Sequence, residues 1–188
     1  MTQIHRRSMR RQKLMSSDVI GSVLFTREQI EARAAEIGKQ IEEDYKGKEI
    51  VLVGILRGAV MWMADVMKNI NLDMEIDFMA VSSYEGKKSS GIVKIDKDLK
   101  CDIEGKDVII VEDIVDSGVT LNYLVGYIAT RGAASVKICS LLNKPANRKV
   151  DLDVAYIGFH VEDLFIVGYG LDFDQKYRNL PYITFLEE

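Results

Sequence analysis

Cysteine, histidine, proline and tryptophan are scarce in this 188-residue chain, which has two of each of the first three and one tryptophan. Cys101 and Cys139 lie far apart, and no Cys/His pair has the spacing of a metal site, so we expect reduced thiols in a cytoplasmic protein. No apolar run is long enough to cross a bilayer, and the first residues lack the pattern of a signal peptide. These absences argue against a disulfide scaffold, a Cys/His metal site and a helical membrane protein.

The charge is divided unevenly between a short basic start and an acidic remainder. Residues 1–14 hold five basic side chains and no acidic one, whereas the rest of the chain has nine more acidic than basic residues. Because binding to nucleic-acid phosphates needs a basic face, the acidic body argues against a nucleic-acid partner, and we also expect no membrane partner. We expect residues 1–14 to form a flexible, solvated tail rather than a binding arm, since they lack an amphipathic apolar stripe.

Length and composition predict one globular domain over residues 1–188, since 47% of the residues are hydrophobic and 29% are charged. Apolar, β-branched runs alternate in it with segments of helical periodicity. We predict strands over residues 50–56, 74–81, 107–111, 135–142, 154–159 and 165–167. We predict helices from the capping box that Thr26 opens to Gly47, and over residues 59–67 and 119–130. This alternation is typical of a doubly wound α/β fold with a mainly parallel sheet.

The most informative segment is residues 111–121, Val-Glu-Asp-Ile-Val-Asp-Ser-Gly-Val-Thr-Leu, which joins a predicted strand to a predicted helix. In open α/β sheets, ligands bind beyond the carboxyl ends of the strands, where this segment is expected to lie. The backbone N–H groups and two hydroxyls of residues 117–120, at a helix N-terminus, suit a phosphate. Glu112 and Asp113 suit the vicinal hydroxyls of a sugar, directly or through a divalent cation. If Asp116 or Ser117 merely capped the helix, the two preceding acids would stay unexplained.

Two common nucleotide-binding motifs are missing from the chain. It has no G-x-x-x-x-G-K-[ST] sequence, and residues 168–170 (Gly-Tyr-Gly) lack the third glycine of a dinucleotide-binding fingerprint. A sugar phosphate therefore fits the segment 111–121 better than a nucleoside triphosphate.

Residues 111–121 resemble the phosphoribosyl-pyrophosphate (PRPP) motif of type I phosphoribosyltransferases. Lys144 and further stretches narrow the resemblance to the hypoxanthine-guanine phosphoribosyltransferase family. These stretches are residues 54–58 (Gly-Ile-Leu-Arg-Gly), 82–84 (Ser-Ser-Tyr), 165–172 and 177–180. The resemblance covers about residues 20–186. It implies a small hood built from N- and C-terminal segments, with residues 165–188 contributing, and a homodimer or homotetramer.

The family transfers ribose 5-phosphate from PRPP to N9 of hypoxanthine or guanine, which gives IMP or GMP plus pyrophosphate. The resemblance therefore implies a purine-salvage enzyme that depends on Mg²⁺, because negative charge builds on the leaving pyrophosphate. By resemblance, Glu112, Asp113 and Asp172 are the metal-binding acids. Asp116, which would face N7 of the purine, is the implied catalytic general base.

The resemblance also assigns the binding residues. Those implied for PRPP and its phosphates are Leu56, Arg57, Gly58, Ser83, Tyr84, Glu112, Asp113, Asp116, Ser117, Gly118, Val119, Thr120 and Arg178. Those implied for the purine are Lys144, Phe165, Ile166 and Asp172. Lys144 would donate to the 6-oxo group and Phe165 would stack on the base, although without the resemblance a surface lysine and a core phenylalanine are the simpler interpretations.

Two loops gain specific expectations from the resemblance. Relatives have a cis peptide between the residues that correspond to Leu56 and Arg57. Ser83 and Tyr84 would begin a mobile loop that closes over the reacting centre and excludes water. The composition of residues 85–91, with two glycines, two lysines and two serines, agrees with such a loop.

Two other functions stay open at this point. The first is a PRPP-motif protein that binds nucleotide to regulate RNA, which the acidic body disfavours. The second is a related transferase with another base. Lys144 and Phe165 disfavour adenine and orotate, whereas xanthine stays open beside hypoxanthine and guanine.

Overall fold

The computed structural model describes residues 20–83 and 93–187. The predicted tail over residues 1–14, Tyr84 and the predicted loop over residues 85–91 lie outside these ranges. The helices of the described residues are α1 (Arg27–Asp44), α2 (Val60–Met67) and α3 (Val119–Thr130). The strands are β1 (Ile50–Leu56), β2 (Met74–Ser83), β3 (Val93–Lys97), β4 (Asp107–Val115), β5 (Ser135–Asn143), β6 (Tyr156–His160), β7 (Ile166–Val167) and β8 (Thr184–Phe185). A turn of 3-10 helix spans Pro145–Asn147.

Six of these strands form one sheet in the order β3-β2-β1-β4-β5-β6. Neighbouring strands are parallel except for β2 and β3, which are antiparallel. The carboxyl ends of β1, β4 and β5 therefore lie side by side at one edge of the sheet. This mainly parallel sheet confirms the predicted fold class.

Helices cover both faces of the sheet. The helices α1 and α2 pack on one face through residues such as Ile37 and Trp62, together with Leu52 of β1. The helix α3 packs on the other face through Leu124, together with Val53 of β1. Successive side chains of a strand point to opposite faces, so a strand that is covered on both faces is a continuous apolar run in the sequence.

The helix α1 begins at the capping box that the sequence predicts. Thr26 Oγ1 accepts a hydrogen bond from the backbone N–H of Gln29 at 3.3 Å, and Gln29 Oε1 accepts from the N–H of Thr26 at 2.8 Å. After the helix the chain turns at Gly47, whose φ of +78° lies in the left-handed region that glycine adopts readily. Both predicted ends of this helix are thus confirmed to within a few residues.

The two ends of the described chain pair with each other and form the hood. The strands β7 and β8 are antiparallel, and isolated bridges join Ile20 to Leu186 and Phe25 to Ile183. The buried hydroxyl of Thr184 donates to the carbonyl oxygens of Gly21 and Ser22, at 3.0 Å each. The hood of N- and C-terminal segments is therefore present. No helix in residues 20–83 and 93–187 is long and apolar enough to span a membrane.

Several element boundaries differ from the sequence-based prediction. The sequence predicts that β4 ends at Val111, but the strand continues to Val115, because Glu112, Ile114 and Val115 still pair with β5. The strand β6 begins two residues later and ends one residue later than predicted. The strands β3 and β8 were not predicted, since β3 is a short edge strand and β8 has only two residues. Both depend on pairing with distant segments rather than on local pattern.

Candidate active site

A cavity of about 220 Å³ lies at the carboxyl end of β4. It is lined by residues of the PRPP-like motif, namely Glu112, Asp113, Ile114, Val115, Asp116, Ser117, Gly118, Thr120 and Leu121. The site therefore lies where the sequence places it, beyond the end of a central strand. Because β4 is longer than predicted, Glu112 and Asp113 belong to the strand and only the residues from Asp116 onward form the loop.

The loop after β4 leaves the first turn of α3 uncapped by any side chain. The N-cap residue is Gly118, with a φ of +78°, and no side chain caps the helix. The backbone N–H of Val119 reaches Ser117 Oγ only at a long 3.5 Å. The alternative in which Asp116 or Ser117 is a capping residue is therefore wrong. Free N–H groups at a helix N-terminus attract an anion, and Asp116 stays exposed beside them.

Glu112 and Asp113 form a poorly solvated acid pair. Burial raises the pKa of Glu112 well above its ordinary value, and the neighbouring Asp113 adds to the rise. Burial also raises the pKa of Asp113, against the opposing effect of hydrogen bonds and of the Arg178 charge. Each carboxylate accepts the backbone N–H of the next residue, at 3.0 Å for Glu112 and 2.7 Å for Asp113. Carboxyl groups with perturbed pKa values in a cleft are typical of functional sites.

The loop after β1 reaches this acid pair. The peptide bond between Leu56 and Arg57 is cis, as the resemblance predicts. A Cβ atom at Gly58 would lie 1.5 Å from Asp113 Oδ2, and a Cβ atom at Gly170 would lie 2.1 Å from the carbonyl oxygen of Gly58. Only glycine fits at either position, so the backbone of this loop lies directly between β4 and the hood.

Arg178 is held in the hood by an ion pair with Asp172. Its Nη2 lies 2.6 Å from Asp172 Oδ1, and its Nη1 donates to the carbonyl oxygen of Gly170 at 2.7 Å. Arg57 Nη1 donates to Gln175 Oε1 at 2.8 Å. The structure thus brings the predicted residues Arg57, Asp172 and Arg178 together around Gln175. Sequence analysis missed Gln175, because an exposed glutamine in a loop carries no recognisable signal.

Two of the predicted base-binding residues, Lys144 and Phe165, differ in exposure from what the sequence alone suggests. Lys144 is only 9% exposed, so it is not a surface lysine. Its ammonium donates to the carbonyl oxygen of Leu164 at 2.5 Å and lies 3.4 Å from Asp163 Oδ1. Phe165 is 50% exposed and stands edge-on to Phe173 at 5.4 Å between ring centres, so it is not a core residue.

The remaining predicted residues are placed as follows. Ile166 is buried in β7 and pairs with Phe185 of β8. Ser83 ends β2 and pairs with Val93 of β3. Tyr84 lies outside the described residues. His160, for which the sequence suggests no catalytic role, is exposed at the end of β6, 3.3 Å from Asn143.

The predicted metal-binding acids do not form one cluster. Among the described residues, no three His, Cys, Asp or Glu side chains are close enough to hold an ion by themselves. Mg²⁺ commonly binds through one or two carboxylates together with phosphate oxygens of the substrate. The acid pair of Glu112 and Asp113 fits that mode. Asp172 is less available to bind Mg²⁺, because its oxygens already accept from Gln175 and Arg178.

Comparison with known proteins agrees with the geometry. A model of the family described as "Phosphoribosyl transferase domain" matches residues 23–174. The chain is 50% identical over 170 residues to hypoxanthine-guanine phosphoribosyltransferase of Streptococcus thermophilus, over 90% of this chain and 94% of the relative. It is 47% identical over 175 residues to the protein of that name from Mycobacterium avium, over 89% and 86% of the two chains.

Solved structures give the same result. A hypoxanthine phosphoribosyltransferase of Staphylococcus aureus matches with a TM-score of 0.87 and 46% identity, over 93% of this chain and 95% of that one. A hypoxanthine-guanine phosphoribosyltransferase of Bacillus anthracis matches with a TM-score of 0.86 and 42% identity, over 92% and 100% of the two chains. With this identity over nearly its whole described length, the chain belongs to the hypoxanthine-guanine phosphoribosyltransferase family.

Proposed function

We propose that this chain is a purine-salvage enzyme that transfers ribose 5-phosphate from PRPP to N9 of hypoxanthine or guanine. The observation that carries this proposal is the position of Lys144 beside the phosphate loop. The backbone N–H of Lys144 donates to the carbonyl oxygen of Val115 at 2.9 Å, directly before Asp116. The backbone of Lys144 therefore adjoins the loop that would bind a phosphate, while its buried ammonium, which would select a 6-oxopurine, donates to Leu164 just before β7.

Each part of the site has a role in this reaction. The uncapped first turn of α3 binds the 5′-phosphate, and Glu112 and Asp113 accept from the ribose hydroxyls. The loop of Leu56, Arg57 and Gly58 presents backbone N–H groups to the pyrophosphate, and Arg178 adds a guanidinium. Mg²⁺, held by the acid pair and separately by Asp172, would supply positive charge against the leaving pyrophosphate.

Proton transfer is assigned to Asp116. This carboxylate is exposed toward the cavity and belongs to the loop rather than to the buried strand. It is therefore free to accept a proton from N7 of the incoming purine, whereas Glu112 and Asp113 are committed to the sugar.

The choice of base is assigned to Lys144 and the start of β7. A 6-oxopurine offers an oxygen to the ammonium, while adenine offers an amino group that cannot accept. Adenine would therefore leave a buried charge without an acceptor from the ligand, which disfavours its binding. Phe165 offers an exposed ring for stacking, and the backbone of Ile166 lies next to it.

The test is an assay of the full-length protein with PRPP, Mg²⁺ and each of five bases. We expect nucleotide formation with hypoxanthine and guanine, none with adenine or orotate, and none when Mg²⁺ is omitted. Turnover mainly with xanthine would correct the substrate. No turnover with any base, together with RNA binding that persists without residues 1–14, would favour a regulatory protein instead.

We also propose a cytoplasmic homodimer or homotetramer. The two cysteines are free thiols, which agrees with a reducing compartment. Light scattering after size exclusion measures the oligomeric state.

A further inference from the structure

Two guanidinium groups of the site meet at a single oxygen atom. Gln175 Oε1 accepts from Arg57 Nη1 at 2.8 Å and lies 3.5 Å from Arg178 Nη2. Arg57 belongs to the cis-peptide loop after β1, whereas Gln175 and Arg178 belong to the hood. The Gln175 side chain therefore joins two parts of the site that lie 118 positions apart in the sequence.

The backbone of Gln175 is fixed in an unusual conformation. Its φ of +66° lies in the left-handed region, which residues other than Gly, Asn and Asp rarely adopt. Its backbone N–H donates to Asp172 Oδ2 at 2.8 Å, while Asp172 Oδ1 pairs with Arg178 at 2.6 Å. One carboxylate thus holds both the turn that presents Gln175 and the guanidinium of Arg178.

We propose that Gln175 is a positioning residue that holds the guanidiniums of Arg57 and Arg178 as a two-armed clamp for the pyrophosphate group. This inference rests on the proposed function and adds the Arg57 and Gln175 side chains to the site. Two like charges repel each other, and a hydrogen-bond acceptor between them offsets part of that repulsion. The carboxamide oxygen is such an acceptor, and it is neutral, so both positive charges stay available to an anion. Each guanidinium has five N–H donors, so further donors remain for phosphate oxygens.

The test compares three variants with the wild-type protein. Gln175→Asn keeps a residue that tolerates a positive φ, but its shorter side chain no longer reaches both guanidiniums. Gln175→Glu keeps the length and an acceptor oxygen. Asp174→Asn is the matched control, because Asp174 is the exposed neighbour with a φ of +48° and takes no part in the contacts that hold Arg57, Gln175 and Arg178 together. The measurements are kcat, KM for PRPP, KM for hypoxanthine, and calorimetric binding of pyrophosphate with and without Mg²⁺.

We expect Gln175→Asn to raise KM for PRPP and Kd for pyrophosphate about five- to tenfold, which lies in the range for the loss of one ordinary hydrogen bond. KM for hypoxanthine should not change, and kcat should change by less than about twofold, because the clamp does not touch the base. Gln175→Glu keeps both contacts but places a negative charge between the two guanidiniums, so we expect it also to raise KM for PRPP and Kd for pyrophosphate. Asp174→Asn should stay within about twofold of the wild type in both quantities.

Other outcomes would overturn the clamp. These are unchanged pyrophosphate binding in Gln175→Asn, no pyrophosphate binding by the wild-type protein, or an equal loss in Asp174→Asn. A parallel change in kcat and both KM values would reduce Gln175 to a structural residue of the hood. If the wild-type protein converts none of the bases, the proposed function fails, yet the calorimetric comparison still decides whether Gln175 positions an anion clamp.

Discussion

Asp77 on β2 and the acid pair Glu112–Asp113 on β4 are partly enclosed acids in strands that both flank β1, yet their surroundings are opposite. The Asp77 side chain is only 12% exposed. Its oxygens accept from the backbone N–H groups of Phe78, Lys100 and Cys101, at 2.7, 2.6 and 3.1 Å. The ammonium of Lys97 lies 3.1 Å away. Asp77 thus has a donor for nearly every lone pair that faces the protein.

The acid pair has far fewer donors. Each of its carboxylates accepts one backbone N–H, and in residues 20–83 and 93–187 neither forms an ion pair within contact distance. The pKa values show the consequence. Burial alone would raise the pKa of Asp77, but the hydrogen bonds hold it far below its ordinary value, whereas the pKa of Glu112 is raised. The chain satisfies its structural acid itself, and we propose that a ligand satisfies the pair on β4.

Removal of the structural acid should produce the largest effect. Asp77→Ala leaves three backbone N–H groups and an ammonium without their acceptor, so we expect the free energy of unfolding to fall by about 3 kcal/mol or more. Denaturant unfolding measures this. The control is Asp153→Ala, because Asp153 is 80% exposed in its ion pair with Lys137 and should contribute less than about 1 kcal/mol.

The pH dependence of stability separates a charge effect from a packing effect at Asp77. A carboxyl with a lowered pKa in the folded state stabilises the protein above its unfolded pKa, and this contribution is lost as the pH falls toward the folded value. Below about pH 4 the wild type should therefore lose stability at up to about 1.4 kcal/mol per pH unit more steeply than Asp77→Asn. If the free energy of unfolding fell equally steeply below pH 4 in the wild type and in Asp77→Asn, the Asp77 charge would have no such role.

Asp116 tests the functional side of the comparison. Asp116→Asn keeps the size of the side chain but removes the proton acceptor, so we expect kcat to fall about 100-fold or more while PRPP still binds. That loss corresponds to about 2.7 kcal/mol in the barrier. Stability should change little, because Asp116 is exposed. Single-turnover kinetics isolates the chemical step, and an unchanged rate of that step would reject Asp116 as the general base.

The same contrast explains what the sequence predicts and what it does not. The ends of α3 and the cap of α1 depend on neighbouring residues, so local patterns predict them. The position of the phosphate loop follows from the end of an apolar strand. The strand β3 and the last four residues of β4 depend instead on pairing with distant segments, so local pattern does not show them.

For the same reason, the sequence pattern predicts only one part of the site. Residues 112–120 are contiguous, and their pattern alone indicates a sugar phosphate. The burial of Lys144 and the exposure of Phe165 depend on how the segment 161–165 folds beside the end of β5, so only the family resemblance indicates them. Gln175 has neither a local pattern nor a place in the resemblance, and only its contacts with two arginines distinguish it.

The smallest expected effect is a change in stability at Glu112, and whether stability rises or falls decides between the two interpretations of the acid pair. Glu112→Gln removes one of two adjacent, poorly solvated carboxyls, so we expect the free energy of unfolding of the ligand-free protein at pH 7 to rise by about 1 kcal/mol. A carboxyl with a raised folded pKa contributes stability only at low pH and loses it as the pH rises, so the gain should shrink toward pH 5. KM for PRPP should rise at the same time. Glu43→Gln, at an exposed position of α1, is the control and should change neither quantity. If Glu112→Gln proved less stable than the wild type, the protein itself would stabilise the acid pair, as it stabilises Asp77. The supposed difference in hydrogen-bond donors between the two regions would then be wrong.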